Sequence, residues 1–182
     1  RSTAAGLMLY GVHIVSALLT GLIFAGSRRS AEKLPAADDG AALGSALTDA
    51  VKGAVTSVLN VCGFVVIFSV LVGLLDCSGY FSRLCLILGS ASGLGPDSIR
   101  ALLTGLLELG SGAGALRYLP LSPASLALAA FLLGFGSVSV HCQTAAVISL
   151  TDMKGTLHFA GRLSMAFISA LLAYVCGIIF LK

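Results

Sequence analysis

Long apolar runs limit this chain to a narrow set of folds. Residues 4–26 and 54–75 contain no acidic, lysine or arginine side chain, and each run is long enough to cross the roughly 30 Å of hydrocarbon in a bilayer as a helix. Of the 182 residues, 57% are hydrophobic and only 10% are charged, whereas soluble domains carry about 25% charged residues. The sequence therefore predicts an all-α, polytopic membrane protein embedded in the lipid bilayer.

The polar residues between the apolar runs divide the chain into two predicted parts. Residues 1–53 are expected to form a first transmembrane helix, a polar linker and an amphipathic lead-in. Residues 54–182 are expected to form a membrane domain that opens with the second span and closes with a final helix over residues 157–181. The net charge of +3 is spread over mostly isolated basic residues, so no nucleic-acid partner is predicted.

Glu108 is the only charged residue between positions 101 and 116. A carboxylate at the centre of a bilayer costs roughly 2.5–3.5 kcal/mol, so such a residue usually has a partner, a proton or a water-filled cavity. A helix from position 98 to 109 would rise only about 18 Å, which is too short to cross. We therefore predict a re-entrant helical hairpin over residues 97–116, and Asp97 or Ser98 is the expected cap of its first helix.

A second interruption is predicted within residues 123–150. Ser122 followed by Pro123 is a typical helix start, and no charged residue follows before Asp152. The glycines of Gly-Phe-Gly-Ser at positions 134–137 divide this stretch into an apolar front and a rear that carries scattered polar residues. The pattern predicts a discontinuous transmembrane helix that opens near the membrane midplane.

The two interruptions together predict a binding site. Unwound backbone at membrane depth needs protein or a cavity around it, and broken helices form solute sites in secondary transporters. The alternative for Glu108 is an ion pair with Arg100, Arg117 or Arg162 that only locks helices together. For Ser139 and Gln143 the alternative is hydrogen bonding between helices, and Asn60 and His141 are expected to be structural polar residues.

An intramembrane hydrolase is a further alternative. Ser137 or Ser139 together with His158 could supply a nucleophile and a base, but neither serine has the glycine-flanked setting expected of a nucleophile. No group of histidine, cysteine and acidic residues has a convincing metal spacing. We therefore predict no enzymatic activity, no catalytic residue and no metal site.

Three segments carry a family resemblance. They are NVCGFVVIFS at positions 60–69, TGLLELGSG at 104–112 and LGFGSVSVHCQT at 133–144. In this order and spacing they resemble the nucleoside-recognition, or Gate-domain, membrane family, especially the YlbJ-type sporulation integral membrane proteins. The resemblance covers about residues 49–181, and its most specific parts are the Gly-x-x-Glu at 105–108 and the run from Gly134 to Gln143.

The resemblance implies a site and a function. Because the family is similar to concentrative nucleoside transporters, the resemblance implies a small polar, nucleoside-like solute between the hairpin and the unwound helix, with a coupling proton or cation and no other cofactor. The substrate-binding residues that it implies are Glu108 and Ser111 on the hairpin and Ser137, Ser139 and Gln143 on the unwound helix.

The resemblance also implies an incomplete site and a cellular location. The chain resembles half of an inverted-repeat transporter, so a missing second half or a homo-oligomeric partner is expected to complete it. The location implied is the plasma membrane, of the forespore or the mother cell in a spore former. The rival function is a non-transporting membrane scaffold needed for spore-envelope assembly.

Overall fold

The computed structural model describes residues 2–25, 43–149, 151 and 153–181. Within these ranges the chain forms eight α-helices and no strand, which confirms the predicted all-α class. The predicted polar linker, residues 27–40, lies outside the described residues. The helices are α1 Thr3–Ala25, α2 Leu43–Cys77, α3 Tyr80–Ser92, α4 Pro96–Leu107, α5 Leu109–Leu116, α6 Pro123–Phe135, α7 Val138–Ile148 and α8 Gly155–Phe180.

Four of the described segments are long and apolar enough to cross a membrane. They are α1, α2, the pair α6 and α7 taken together, and α8. Most large apolar side chains of α1 and α2 are exposed in the single chain, as expected for helices whose surfaces face lipid rather than a protein core. These four segments agree with the prediction of a polytopic membrane protein.

α2 joins two segments that the sequence analysis had separated. The helix runs unbroken from Leu43 to Cys77, so the amphipathic lead-in and the second span form one helix through position 53. A single glycine such as Gly53 costs about 1 kcal/mol relative to alanine inside a helix. A cost of this size is too small to end the helix at Gly53, because the residues on either side of it favour a helix.

α3 and α4 cross at very close range. A Cβ atom added to Gly89 would lie 2.6 Å from the backbone nitrogen of Pro96. α4 begins at Pro96 with Gly95, at φ 82°, in the N-cap position and without a side-chain hydrogen bond. The prediction that Asp97 or Ser98 caps this helix was therefore wrong, because the helix starts at the proline, before either side chain can occupy the cap position.

α6 lies at the centre of the bundle and packs antiparallel to α8. A Cβ atom on Gly134 would lie 2.8 Å from the Cα of Ala166, and one on Gly177 would lie 3.0 Å from the Cα of Pro123. The missing side chains let the two backbones approach at both ends of α6, as small residues do between membrane helices. α1 packs against both of these helices through a small core of Val12, Ala130 of α6 and Ala173 of α8.

Candidate functional site

The first helix break lies at Glu108, within residues 97–116, where the sequence predicted a hairpin. α4 ends at Leu107 and α5 begins at Leu109, while Glu108 between them has an extended backbone with φ −142° and ψ 121°. α5 then folds back against α4 at very close range: a Cβ atom added to Gly112 would lie only 2.1 Å from the Cα of Gly105. Glycine at position 112 is therefore required for this close approach.

The Glu108 side chain caps the helix that follows it. Its carboxylate accepts hydrogen bonds from the backbone N–H groups of Gly110 at 2.8 Å and Ser111 at 2.6 Å. Glu108 is only 5% exposed. The first amides of a helix have no partner within the helix, and a negative charge at that end also matches the helix dipole. Glu108 thus stabilises the start of α5.

Among the described residues, Glu108 forms no ion pair. Arg100 pairs with Asp76 instead, and Arg162 donates its hydrogen bonds to backbone carbonyl groups of α6. The guanidinium of Arg117 lies 4.4 Å from the centre of the Tyr118 ring. In the part of the chain that the structure describes, the buried carboxylate of Glu108 is held by backbone amides rather than by a basic side chain.

The second helix break lies at Gly136 and Ser137, within the predicted positions 134–137. α6 ends at Phe135, and Gly136 has φ 81° and ψ −146°, a positive-φ conformation that glycine adopts readily. Ser137 has an extended backbone, and its hydroxyl accepts a hydrogen bond from the N–H of Val140 at 3.3 Å. Ser137 therefore serves as the N-cap of α7, which begins at Val138.

Arg162 stabilises this break from a different helix, a role that the sequence analysis missed. Its Nε donates to the carbonyl oxygen of Phe135 at 3.1 Å, and one Nη donates to that of Leu133 at 3.3 Å. The last carbonyl groups of a helix lack partners and carry the negative end of the dipole, so a cation there is favourable. The only sequence signal was a lone arginine near the start of the last apolar segment.

The polar side chains of α7 bond mainly within their own helix. Ser137 and Ser139 are buried, and the side-chain amide of Gln143 donates to the hydroxyl of Ser139 at 3.3 Å. This bond spans one helical turn, so it does not join two helices. Because the bond uses the amide nitrogen of Gln143, the side-chain carbonyl oxygen remains as an uncharged acceptor in the predicted site.

The two predicted structural polar residues have different surroundings. His141 lies against the Phe135 ring with 4.8 Å between ring centres, and its buried Nε2 has no hydrogen-bond partner among the described residues. Asn60 is exposed on α2. The structural role expected of Asn60 stays a prediction.

The two breaks lie close together in the bundle. A Cβ atom on Gly105 would lie 2.6 Å from a methyl group of Leu132. Gly105 lies about one helical turn before Glu108, and Leu132 one turn before Gly136, so the same contact precedes each break. However, no hydrogen bond between described residues joins the hairpin pair, Glu108 and Ser111, to the polar side chains of α7.

Comparison with known proteins gives one informative match. The chain is 33% identical, over 143 residues, to the sporulation integral membrane protein YlbJ of Bacillus subtilis (strain 168), and the match covers 74% of this chain and 32% of that protein. The chain thus spans about a third of the length of this curated relative. No protein-family model and no solved structure matches the chain.

The match has a limited consequence for the predictions. It supports the predicted YlbJ-type relationship. Together with the four apolar segments, it also supports a location in a membrane. The similarity does not test the more specific predictions of a Gate-type domain and of solute binding.

Proposed function

We propose that this relative of YlbJ recognises or translocates a small polar solute inside a membrane, in the context of sporulation and without an enzymatic step. Nucleoside-like solutes are the first class to test. The observation that carries the proposal is the position of Glu108, a carboxylate only 5% exposed at one helix break that lies beside a second break. Paired breaks of this kind form solute sites in secondary transporters.

The carboxylate of Glu108 has capacity for a ligand. A carboxylate can accept about four hydrogen bonds, and two are provided by Gly110 and Ser111. The remaining positions would accept hydroxyl groups of a ribose-like solute, or would hold a coupling proton or cation. Ser139 and Gln143 would supply the uncharged hydrogen-bonding groups from the other side of the site.

The proposed architecture is half of a transporter. Residues 97–116 would enter the membrane and return as a re-entrant hairpin of a Gate-type domain. The rear of the broken helix, residues 138–148, would face that hairpin across the solute. A second half of similar structure, or a second copy of this chain, would complete the site. Rocking of one half against the other would then expose the solute to each side of the membrane in turn.

A membrane scaffold for spore-envelope assembly is the second candidate. One observation favours it: the structure already gives Glu108 two strong hydrogen bonds within its own hairpin. In that case the carboxylate would only fix the turn between α4 and α5. The scaffold would then bind other proteins and would show no response to solutes.

Solute-dependent thermal unfolding separates the two candidates. The purified protein in lipid nanodiscs is heated with uridine, adenosine, amino acids, sodium or choline at pH 6 and pH 8. A ligand that prefers the folded state stabilises it by about 2.7 kcal/mol at 100 times its dissociation constant. We expect a nucleoside to raise the unfolding temperature of the wild-type protein.

Two variants show whether such a response depends on Glu108. Glu108→Asn removes the charge but retains a side chain that is favourable at an N-cap, so we expect it to fold and to lose the solute response. The matched control is Asp49→Asn, the same loss of charge at an exposed position of α2, which should keep the response. If no solute stabilises the wild-type protein, the scaffold is the better explanation.

A further inference from the structure

A cavity of about 700 Å³ lies between the C-terminal half of α1 and the beginning of α8. Its α1 wall is mainly apolar and includes Ala17 and Phe24, and Met165 of α8 adds a further apolar surface. Neither Glu108 nor the polar residues of α7 line it. The cavity is therefore distinct from the predicted solute-binding residues, although Arg162 connects it to the end of α6 at the second break.

Three basic or ionisable side chains line one side of this cavity. Lys154, His158 and Arg162 all contribute to the lining, and their spacing of four residues places them along one side of α8. None of the described residues that line the cavity is acidic. The positive end of the α8 dipole adds to the same potential, so the cavity is complementary to an anion.

The hydrogen bonds of Arg162 leave part of its guanidinium available. Its Nε and one Nη hold the α6 carbonyl groups. Among the described residues, the hydrogen bond of the other Nη goes to the sulfur of Met165, at 3.9 Å. A thioether sulfur is a weak acceptor. An anion in the cavity would therefore offer this nitrogen a stronger acceptor than it has now.

The position of the basic row indicates the kind of anion. α8 has 26 residues, which rise about 39 Å and exceed the roughly 30 Å of hydrocarbon, so its first turn is expected at the lipid–water boundary. Lys154 precedes that turn and is exposed, while Arg162 is half-buried, about 12 Å further along the helix. The charges thus begin at head-group level and continue inward beside apolar walls.

We propose that this cavity binds an anionic phospholipid. Its phosphate would contact Lys154 and His158, with Arg162 at the inner end, and an acyl chain would lie along Ala17 and Phe24. Free phosphate would satisfy the charges but would leave the apolar walls without a partner. The proposal is independent of solute recognition at Glu108, because none of the predicted solute-binding residues lines the cavity.

Native mass spectrometry of the purified protein tests this assignment. The protein is titrated with phosphatidylglycerol or with phosphatidylcholine of identical acyl chains, and inorganic phosphate is added as a competitor. We expect a single phosphatidylglycerol to be retained in preference to phosphatidylcholine, with little displacement by phosphate. Lys154→Gln should weaken phosphatidylglycerol binding about fivefold, which corresponds to about 1 kcal/mol per basic side chain at a membrane surface.

The control is Lys52→Gln, the same loss of charge at an exposed position of α2 that does not line the cavity. It should bind phosphatidylglycerol as the wild type does, whereas Lys154→Gln combined with His158→Gln should lose the preference between the two lipids. Circular dichroism checks that each variant is folded. Equal retention of both lipids, no effect of Lys154→Gln, or complete displacement by inorganic phosphate would each overturn the proposal.

Discussion

Replacement of Glu108 by alanine tests whether its carboxylate holds the start of α5. The substitution removes the acceptor of two backbone N–H groups, at 2.8 and 2.6 Å, and leaves those amides without a partner in a site where Glu108 is 5% exposed. Loss of an N-cap costs about 0.5–2 kcal/mol, and hydrogen bonds to charged groups lie at the upper end of the usual range. We therefore expect the alanine variant to be destabilised by about 2 kcal/mol.

The assay is thermal unfolding in nanodiscs, followed by helical circular dichroism. For a protein of this size, 1 kcal/mol corresponds to about 2–4 °C, so alanine at position 108 should lower the unfolding temperature by about 4–8 °C. Glu108→Asn should recover at least half of this loss, because an asparagine side chain also accepts a hydrogen bond at an N-cap. The recovery depends on geometry rather than on charge.

The control for this comparison is Asp49→Ala on the exposed surface of α2, which should stay within about 0.5 kcal/mol of the wild type. If Glu108→Ala unfolds at the same temperature as the wild type, the carboxylate does not stabilise α5. If alanine and asparagine at position 108 are equally destabilising, the loss comes from the buried charge and not from the cap.

Two further substitutions test the packing at the breaks by the same thermal assay. Gly112→Ala should destabilise the protein by about 3 kcal/mol, because the new methyl group would lie 2.1 Å from the Cα of Gly105. The control Gly114→Ala, whose new methyl group has no atom within 4 Å, should be neutral or stabilising. Equal effects of the two substitutions would refute the close approach of α5 to α4. Arg162→Gln should cost about 2 kcal/mol through the loss of its two carbonyl contacts, and Arg162→Lys should recover only part, since an ammonium group lacks the fork geometry of a guanidinium. An Arg162→Gln variant as stable as the wild type would show that the carbonyl groups of α6 need no cation.

The break at Gly136 and the start of α6 could be predicted because their causes are local. Glycine at position 136 lacks a Cβ atom and so adopts a positive φ readily. The sequence Ser122-Pro123 predicted the start of α6, and the structure shows Ser122 in a capping box with Ser125. A residue type and its immediate neighbours were sufficient in these cases, since caps and breaks depend on backbone preferences within one turn.

Other features depend on residues far apart in the sequence. The close approach of Gly89 to Pro96 at the start of α4 has no signal in any local cap motif. The carbonyl groups that Arg162 contacts lie 27 and 29 residues before it, so its spacing from them carries no periodic signal. The sequence offered Arg162 as an ion-pair partner for Glu108, and the structure placed it at the other break.

The amino-acid sequence by itself determined the helical class, the apolar segments long enough to cross a membrane, and the two segments in which the helices break. These properties follow from the length of apolar runs and from the local conformational preferences of glycine, serine and proline. Only the tertiary structure decided which group satisfies each broken helix end: the carboxylate of Glu108 for α5 and the guanidinium of Arg162 for α6. Hydrogen bonding and burial depend on distances in the folded chain, and packing between helices sets those distances.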